Sequence, residues 1–314
     1  MSQPRVFPNS GFYLLDSTAR FEEEALPDYL EERYHPVHIG EIFKSQYQVV
    51  TKLGFGSSST VWLCRDLYTQ RYLVLKVHVR IKRQVPEVVI SKHLHATHSA
   101  HVDKNYVRLV LDSFEISGPY GVHPCLLYEP AGADMRDYMR CLEGDALPET
   151  LLRPTLRFVL IDLDYLHQAS IIHTDIQPNH RIVYRAPEVL LGMDWGNKVD
   201  IWALGQMVWT LFEEGHLFRN QNIENETEKA RRIAEMISLL GPPPVEFLRR
   251  SEEWNWKSSV KIPEQSLENR ESRLQTDDQV LFLRFLREAL HWLPEERPTA
   301  TELLFDKWLR GDDY

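Results

Sequence analysis

Three charged side chains and a pair of glycines hold the chemistry this chain could perform. Asp175 closes the run "LDYLHQASIIHTD", a helix end followed by a short apolar stretch, where a held carboxylate can take a proton from a hydroxyl as a general base. An aspartate ahead of Pro178 is equally a turn former. "KLGFGSSSTVWL" places Gly54, Gly56 and Ser59 on a G-x-G-x-x-S pattern. Glycines allow a β-turn to lie close over a phosphate chain, with backbone N–H groups aimed at phosphate oxygens, although a plain hairpin shows the same pattern. Lys76, 20 residues after Gly56, lies in the strand-like "YLVLKVHV", where a lysine on a face shared with Val74 needs an anionic partner. A phosphate is one such partner and Glu87 is another.

The elements that must position these groups follow from periodicity. "YQVVTKL", "STVWLCRD" and "RYLVLKVHV" alternate with period two and are separated by polar or glycine-containing turns, which predicts three antiparallel strands between Tyr47 and Val79. Alternation puts Tyr72, Val74, Lys76 and His78 on one face and Leu73, Leu75, Val77 and Val79 on the other. In "VPEVVISKHL", Pro86 suits a first helical turn, and Glu87, Ile90, Ser91 and Leu94 share a stripe. Glu87 then points where apolar residues point and has to be paired, unless the second apolar pair, Val88 and Val89, faces inward instead. From about Leu151 the period becomes helical: Leu156, Val159, Leu160 and Leu163 share a face, and "VDIWALGQMVWTLF" is apolar nearly all round, as a buried central helix would be. Residues 1–40, with Glu22-Glu23-Glu24, Pro27 and Pro36, are expected as an extended arm outside the core.

Composition bounds the class. A chain of 314 residues with 43% hydrophobic and 11% aromatic content is long enough for two lobes. The net charge of −10 argues against binding nucleic acid or an anionic membrane and permits a basic partner. Cys64, Cys125 and Cys141 form neither a CxxC pair nor a disulfide framework. With no apolar leader in "MSQPRVFPNS" and no stretch fit to cross a bilayer, the expectation is a soluble intracellular protein. His93, His95, His98 and His101 match no metal-ligand spacing and are expected in a solvated loop.

In order along the chain, the glycine hairpin, strand lysine, helix glutamate, "HTD", "APE", "VDIWALG" and "PEERPTA" make the protein-kinase signature set. With "YHPVHIGEIF", "HPCLLYEPAG", "DALPETLLRPTLRFVLIDLDYLH", "HTDIQPN", "YRAPEVLLGMDWGNKVDIW" and "EMISLLGPPPVEFL", the chain resembles eukaryotic protein kinases, in particular SR-protein kinases of the fungal type. The resemblance implies an α+β, bilobal fold: an extension over residues 1–40, a β-rich N-lobe over 41–127, a hinge at 128–132 and a helical C-lobe over 133–314. It further implies that Gly54, Phe55, Gly56, Ser57, Ser58 and Ser59 cover ATP phosphates, that Leu53, Val61 and Val74 enclose the adenine, and that Lys76 holds the α- and β-phosphates while Glu87 fixes Lys76. Tyr128 would be the gatekeeper, Glu129 and Ala131 would offer backbone groups to the adenine edge, and Asp175 would orient the substrate hydroxyl and take its proton. Thr174 and Gln177 replace the arginine and lysine common at those positions. Glu188 would pair with Arg297, and Asp200 would brace the catalytic loop. The implied substrates are serines of Arg/Ser-rich proteins, met in the cytoplasm or nucleus by a monomer using ATP and Mg²⁺.

The pattern breaks after Pro178. The family's asparagine five residues beyond the aspartate is here His180, with Asn179 one place early, and "HRIVY" leads directly into "RAPE". Only 10 residues separate Asp175 from Ala186, where the family has several tens including the Asp-Phe-Gly that holds Mg²⁺. Asp194-Trp195-Gly196 imitates that triplet but lies beyond Glu188, so no metal ligand is assigned to it. The expected consequence is a kinase of impaired activity, lacking an internal segment through a gene-model or splice difference. The alternative is a pseudokinase acting as a binding or scaffold module.

Overall fold

The computed structural model describes residues 2–16, 18–80, 85–97, 107–176, 184–213, 215–219, 225–251 and 260–311. The chain divides into two compact units, the first made of Met1–Ser99 and Val107–Gly132, the second of Ala100–Tyr106 and Ala133–Tyr314.

The first unit is an antiparallel sheet of β1 (Ile42–Phe43), β2 (Tyr47–Gly56), β3 (Ser59–Asp66), β4 (Tyr72–His78), β5 (Asp112–Gly118) and β6 (Gly121–Tyr128), in the order β1-β2-β3-β4-β6-β5, with helix α1 (Pro86–Ala96) between β4 and β5. The three strands predicted between Tyr47 and Val79 form as expected. The β5–β6 hairpin goes beyond that expectation; Pro124 and two glycines, Gly118 and Gly121, weaken its strand signal, and pairing along β4 supplies what local propensity lacks. Alternation on β4 sorts its side chains into two apolar clusters. Leu73, Leu75 and Val77 join Phe43, Tyr47, Val49, Trp62, Cys64, Cys125 and Leu127, whereas Val74 joins Val85, Leu126 and Tyr128.

Helix α1 turns Val88, Ser91 and Leu94 inward, but Ile90, expected on the same stripe as Glu87, is 40% exposed. The 11-residue helix buries a narrow face: at about 100° per residue Val88 and Leu94 lie about 60° to either side of Ser91, and Ile90 lies about 100° from it, beyond that face. Residues 1–40 are mostly exposed, as an arm would be, yet Tyr34 is buried and the segment is bonded to the sheet at several points.

The second unit is helical: α2 (Met135–Met139), α3 (Glu149–Gln168), α4 (Pro187–Leu190), α5 (Lys198–Phe212), α6 (Glu226–Leu240), α7 (Val245–Arg250), α8 (Leu267–Arg270), α9 (Thr276–Ala289), α10 (Ala300–Leu304) and α11 (Lys307–Arg310). Helix α5 is the buried centre that its composition predicts, with all its residues except Lys198 and Thr210 inside. A Cβ on Gly205 would stand 3.0 Å from Leu290 and 3.1 Å from Ala289, so glycine is what lets α5 approach the end of α9 this closely. Leu152, Leu156, Leu160 and Leu163 of α3 fill the same core. Among the described residues no helix is long and apolar enough to cross a membrane.

One buried ion pair ties this unit together. The Arg297 guanidinium meets Glu188 in two bonds of 2.6 and 2.8 Å, lies 5.0 Å from the Trp202 ring centre, and donates further to the carbonyls of His291, Lys198 and Trp292. Both side chains are essentially inaccessible to water. Removing one partner leaves a buried charge uncompensated, so Arg297→Ala is expected to cost about 3–5 kcal/mol. Urea unfolding followed by circular dichroism measures this; a loss below about 1 kcal/mol would show that the pair is dispensable.

Candidate functional site

Lys76 and Glu87 are brought together. Lys76 occupies β4 opposite Val61 on one side and Leu126 on the other, and its Nζ donates to Glu87 Oε1 of α1 at 2.8 Å. Neither side chain is sealed off, with 27% and 38% of them exposed, so an anion arriving from outside can still reach the ammonium. Burial pushes the Glu87 carboxyl upward, but the Lys76 hydrogen bond and the Lys76 and His78 charges outweigh it and hold Glu87 below its usual range. His78 Nε2 lies 3.8 Å from the same Glu87 oxygen. Burial and the neighbouring Lys76 ammonium hold that imidazole below its usual value despite Glu87.

The glycine pattern forms a hairpin. Gly54 pairs with Val61, Phe55 with Thr60 and Gly56 with Ser59, leaving Ser57 and Ser58 as a two-residue turn. A Cβ added at Gly54 or Gly56 would meet nothing within 4 Å, and neither glycine has a positive φ. Nothing among the described residues therefore demands glycine at either place; what glycine provides is backbone open to an approaching group. Leu53 and Phe55 are exposed, Val61 is half-buried, and Val74 is buried in one cluster with Leu126 and Tyr128.

The stretch after β6 departs from the simple picture of free backbone groups. Tyr128 is buried, and its hydroxyl is pushed up to about 12, first by burial and then by Glu87. The Glu129 carbonyl accepts two N–H groups of Arg108, at 3.0 and 2.8 Å, while the guanidinium lies 4.9 Å from the Tyr128 ring centre. The Glu129 carboxylate pairs with Arg71 at 2.9 Å. Ala131 is exposed. No sequence pattern singled out Arg108, because a lone arginine before a strand gives no signal of where its head will land.

Asp175 belongs to the second unit. The loop that leads to it is held by Asp200 of α5, which is wholly buried and accepts the backbone N–H of His173 and of Thr174 at 2.8 Å each and the His167 ring at 2.9 Å. Thr174 has φ +63°, a left-handed conformation unfavourable for a β-branched residue, and the Asp200 bond fixes it there. Asp175 follows, exposed, with its N–H on His173 Nδ1 at 3.3 Å. Gln177, Asn179, His180, His98 and His101 lie outside the described residues.

ATP and Mg²⁺ are the groups implied by this residue set. Lys76, Glu87 and the open glycine hairpin fit a polyphosphate. Among the described residues no three His, Cys, Asp or Glu side chains gather as a metal-binding set, and Asp194 is exposed in the turn before α5.

A protein kinase domain model matches residues 181–309. A serine/threonine protein kinase of Aspergillus fumigatus is 36% identical over 375 residues, covering 98% of this chain and 95% of that protein. Since this chain has 314 residues, at least 61 of those aligned positions have no counterpart here. A serine/threonine-protein kinase SRPK of Physarum polycephalum is 26% identical over 384 residues, with 90% of each chain covered. Human SRSF protein kinase 3 is 37% identical over 165 residues, 51% of this chain and 29% of that one.

Acid should loosen the first unit in two windows. Below about 6.5, the usual histidine value, the unfolded chain takes a proton that buried His78 refuses, so stability falls with pH. Below 4.5, Glu87 in the unfolded chain protonates first, and the stability its charge contributes is lost as pH drops through its lower folded value. In thermal melts from about pH 7.5 down to about pH 2, Glu87→Gln should start below wild type and converge with it in the lower window. A constant gap over the whole range would remove the charge of Glu87 as the cause.

Proposed function

Because the chain belongs to the eukaryotic protein kinases and is a serine/threonine protein kinase of the SR-protein-kinase type, we propose that it binds ATP on its first unit and is directed at serines of Arg/Ser-rich proteins. We propose further that transfer is impaired in the chain as it stands. The observation that carries the nucleotide reading is the Lys76–Glu87 pair at 2.8 Å beside a glycine hairpin whose Gly54 and Gly56 have no described residue within 4 Å of an added Cβ. The ammonium is held on a rigid strand and aimed by a carboxylate, which is what orienting a polyphosphate requires. ATP supplies the phosphoryl group; Asp175 would receive the proton of the serine hydroxyl.

Two features support a basic substrate. Relatives carry the names SRPK and SRSF protein kinase, and the chain holds 46 acidic against 36 basic residues, so its field attracts an arginine-rich segment. Encounters with such substrates would take place in the cytoplasm or nucleus.

The impairment rests on charge. Phosphoryl transfer spreads negative charge over the migrating group, and hard oxygen ligands carrying Mg²⁺ normally offset it. The sequence contains no Asp-Phe-Gly, and His180 stands where the asparagine is expected. The same absence favours the second reading, a pseudokinase that keeps its folded units as a binding or scaffold module. The length of the Aspergillus alignment favours the first, a kinase from which one internal segment is missing.

The test uses the full chain with labelled ATP, Mg²⁺ and an Arg/Ser-rich peptide. Transfer should stay near background and fall no further in Asp175→Ala. Thermal shift with ATP should persist in Asp175→Ala, whereas Lys76→Met should weaken binding by about 10- to 100-fold, the worth of a charge-assisted contact. Strong Mg²⁺-dependent transfer abolished by Asp175→Ala would overturn the impairment, and wild-type protein that shows no shift with ATP would overturn the nucleotide reading.

A further inference from the structure

The first forty residues are mostly exposed, yet the part from Glu22 to Tyr34 is tied to the sheet unit at four separated places. Lys52 of β2, just before the glycine pattern, is gripped by Glu22 at 2.5 Å and by Glu23. Its ammonium also lies 5.7 Å from the Phe55 ring centre and 5.5 Å from that of Trp62. Tyr34 donates its hydroxyl to the Gly56 carbonyl at 3.0 Å, at the foot of the two-residue turn. Arg80, just past β4, donates its N–H to the Arg33 carbonyl at 2.8 Å, and Tyr120, in the β5–β6 turn, donates its hydroxyl to Glu31 at 3.0 Å. In chain order the segment therefore touches β2, then the β5–β6 turn, then the end of β4, and reaches the tip of the β2–β3 hairpin last, at Tyr34.

Tyr34 is the contact that bears on the lid. It is only 7% exposed and stacks on Tyr29 with ring centres 5.1 Å apart. Its ring is thus fixed before its hydroxyl reaches Gly56. A hairpin with glycines at two positions has much backbone freedom to lose when it closes over a ligand. A bond to the carbonyl of the second glycine removes part of that freedom in advance, and preorganisation of this kind is repaid as affinity. On the opposite side the turn is held by Val79, whose N–H donates to the Ser58 carbonyl at 2.9 Å. The tip is therefore restrained from both the strand side and the arm side.

We propose that Tyr34 is a positioning residue for the nucleotide-covering hairpin, and that the segment Glu22–Tyr34 is a strap that holds Gly54–Ser59 in the conformation used for binding. Tyr34 acts through Gly56 and need not touch the nucleotide. The inference rests on the nucleotide reading of that hairpin for its purpose, but not for its mechanics. It also gives the N-terminal segment a role that its lack of periodicity conceals: acidic Glu22 and Glu23 meet one lysine, and a single buried tyrosine meets one carbonyl.

Tyr34→Phe removes the hydroxyl and leaves the ring, its stacking and its burial in place. In full-length protein without ligand, hydrogen exchange at the amides of Phe55 to Ser59 should speed up about three- to tenfold, as loss of one net hydrogen bond predicts, with the melting temperature nearly unchanged. Affinity for a fluorescent ATP analogue should fall by a similar factor. Lys52→Met, which releases Glu22 and Glu23, should speed exchange over the same amides. Unchanged hairpin exchange in Tyr34→Phe overturns the strap. Faster exchange across the whole sheet with a lowered melting temperature also overturns it, since Tyr34 would then only stabilise the unit. If the hairpin loosens while affinity stays constant, the positioning role is overturned. If wild type binds no nucleotide, the functional reading fails, and exchange alone still decides whether the strap exists.

Discussion

A charge withdrawn from water has to be matched, and in this protein that requirement sets the geometry wherever chemistry is at stake. Asp200 shows it most fully. With no exposure to solvent, its carboxylate is satisfied by two successive backbone N–H groups and one imidazole, and those partners come from the segment that ends in Asp175. Because the carboxylate sits at the start of α5, the most buried helix of the unit, the core cannot form without placing the acceptor, and the acceptor cannot be satisfied without bending the loop. The left-handed Thr174 is the local cost of that bend.

The same rule acts with different strength at the other two pairs. Glu188 and Arg297 are sealed, bidentate and surrounded by carbonyl acceptors, so they serve the fold. Lys76 and Glu87 remain partly open and share one hydrogen bond, and His78 stands within 4 Å as a third titrating group. A pair that is left open can exchange partners. Burial thus distinguishes an ion pair that only holds structure from one that is available to a ligand.

Much of this was legible in the chain, for reasons that differ by element. Alternation in "RYLVLKVHV" fixed which face Lys76 takes, because strand period is a property of the backbone and needs no tertiary context. The all-apolar α5 declared its own burial in the same way. Glu87 was placed on the inward stripe by its helical spacing, although Ile90 on that stripe turned out exposed, since a short helix buries less of its circumference than the pattern allows. The Arg108 bond to the Glu129 carbonyl and the Tyr34 bond to Gly56 were not legible. Each joins one side chain to a backbone group 21 or 22 residues away, and a carbonyl carries no residue identity for a pattern to match.

The distribution of the assigned residues separates two capacities. Leu53 through Val61, Val74, Lys76, Glu87, Tyr128, Glu129 and Ala131 all belong to the first unit, whose sheet and helix are complete on either side of any change near Asn179. The residues expected to carry metal belong to the region of the join, where the chain passes from "HTD" to "APE" within 10 residues. Holding a nucleotide draws on strand register, one ion pair and a restrained hairpin, whereas transferring its phosphoryl group draws on hard oxygen ligands. On the reading proposed above, a segment missing at the join takes the second set with it, whereas the first set lies wholly in the first unit. Binding without turnover is the state that the proposed impairment would leave, and restoring turnover would then require new ligands at the join rather than any repair of the sheet.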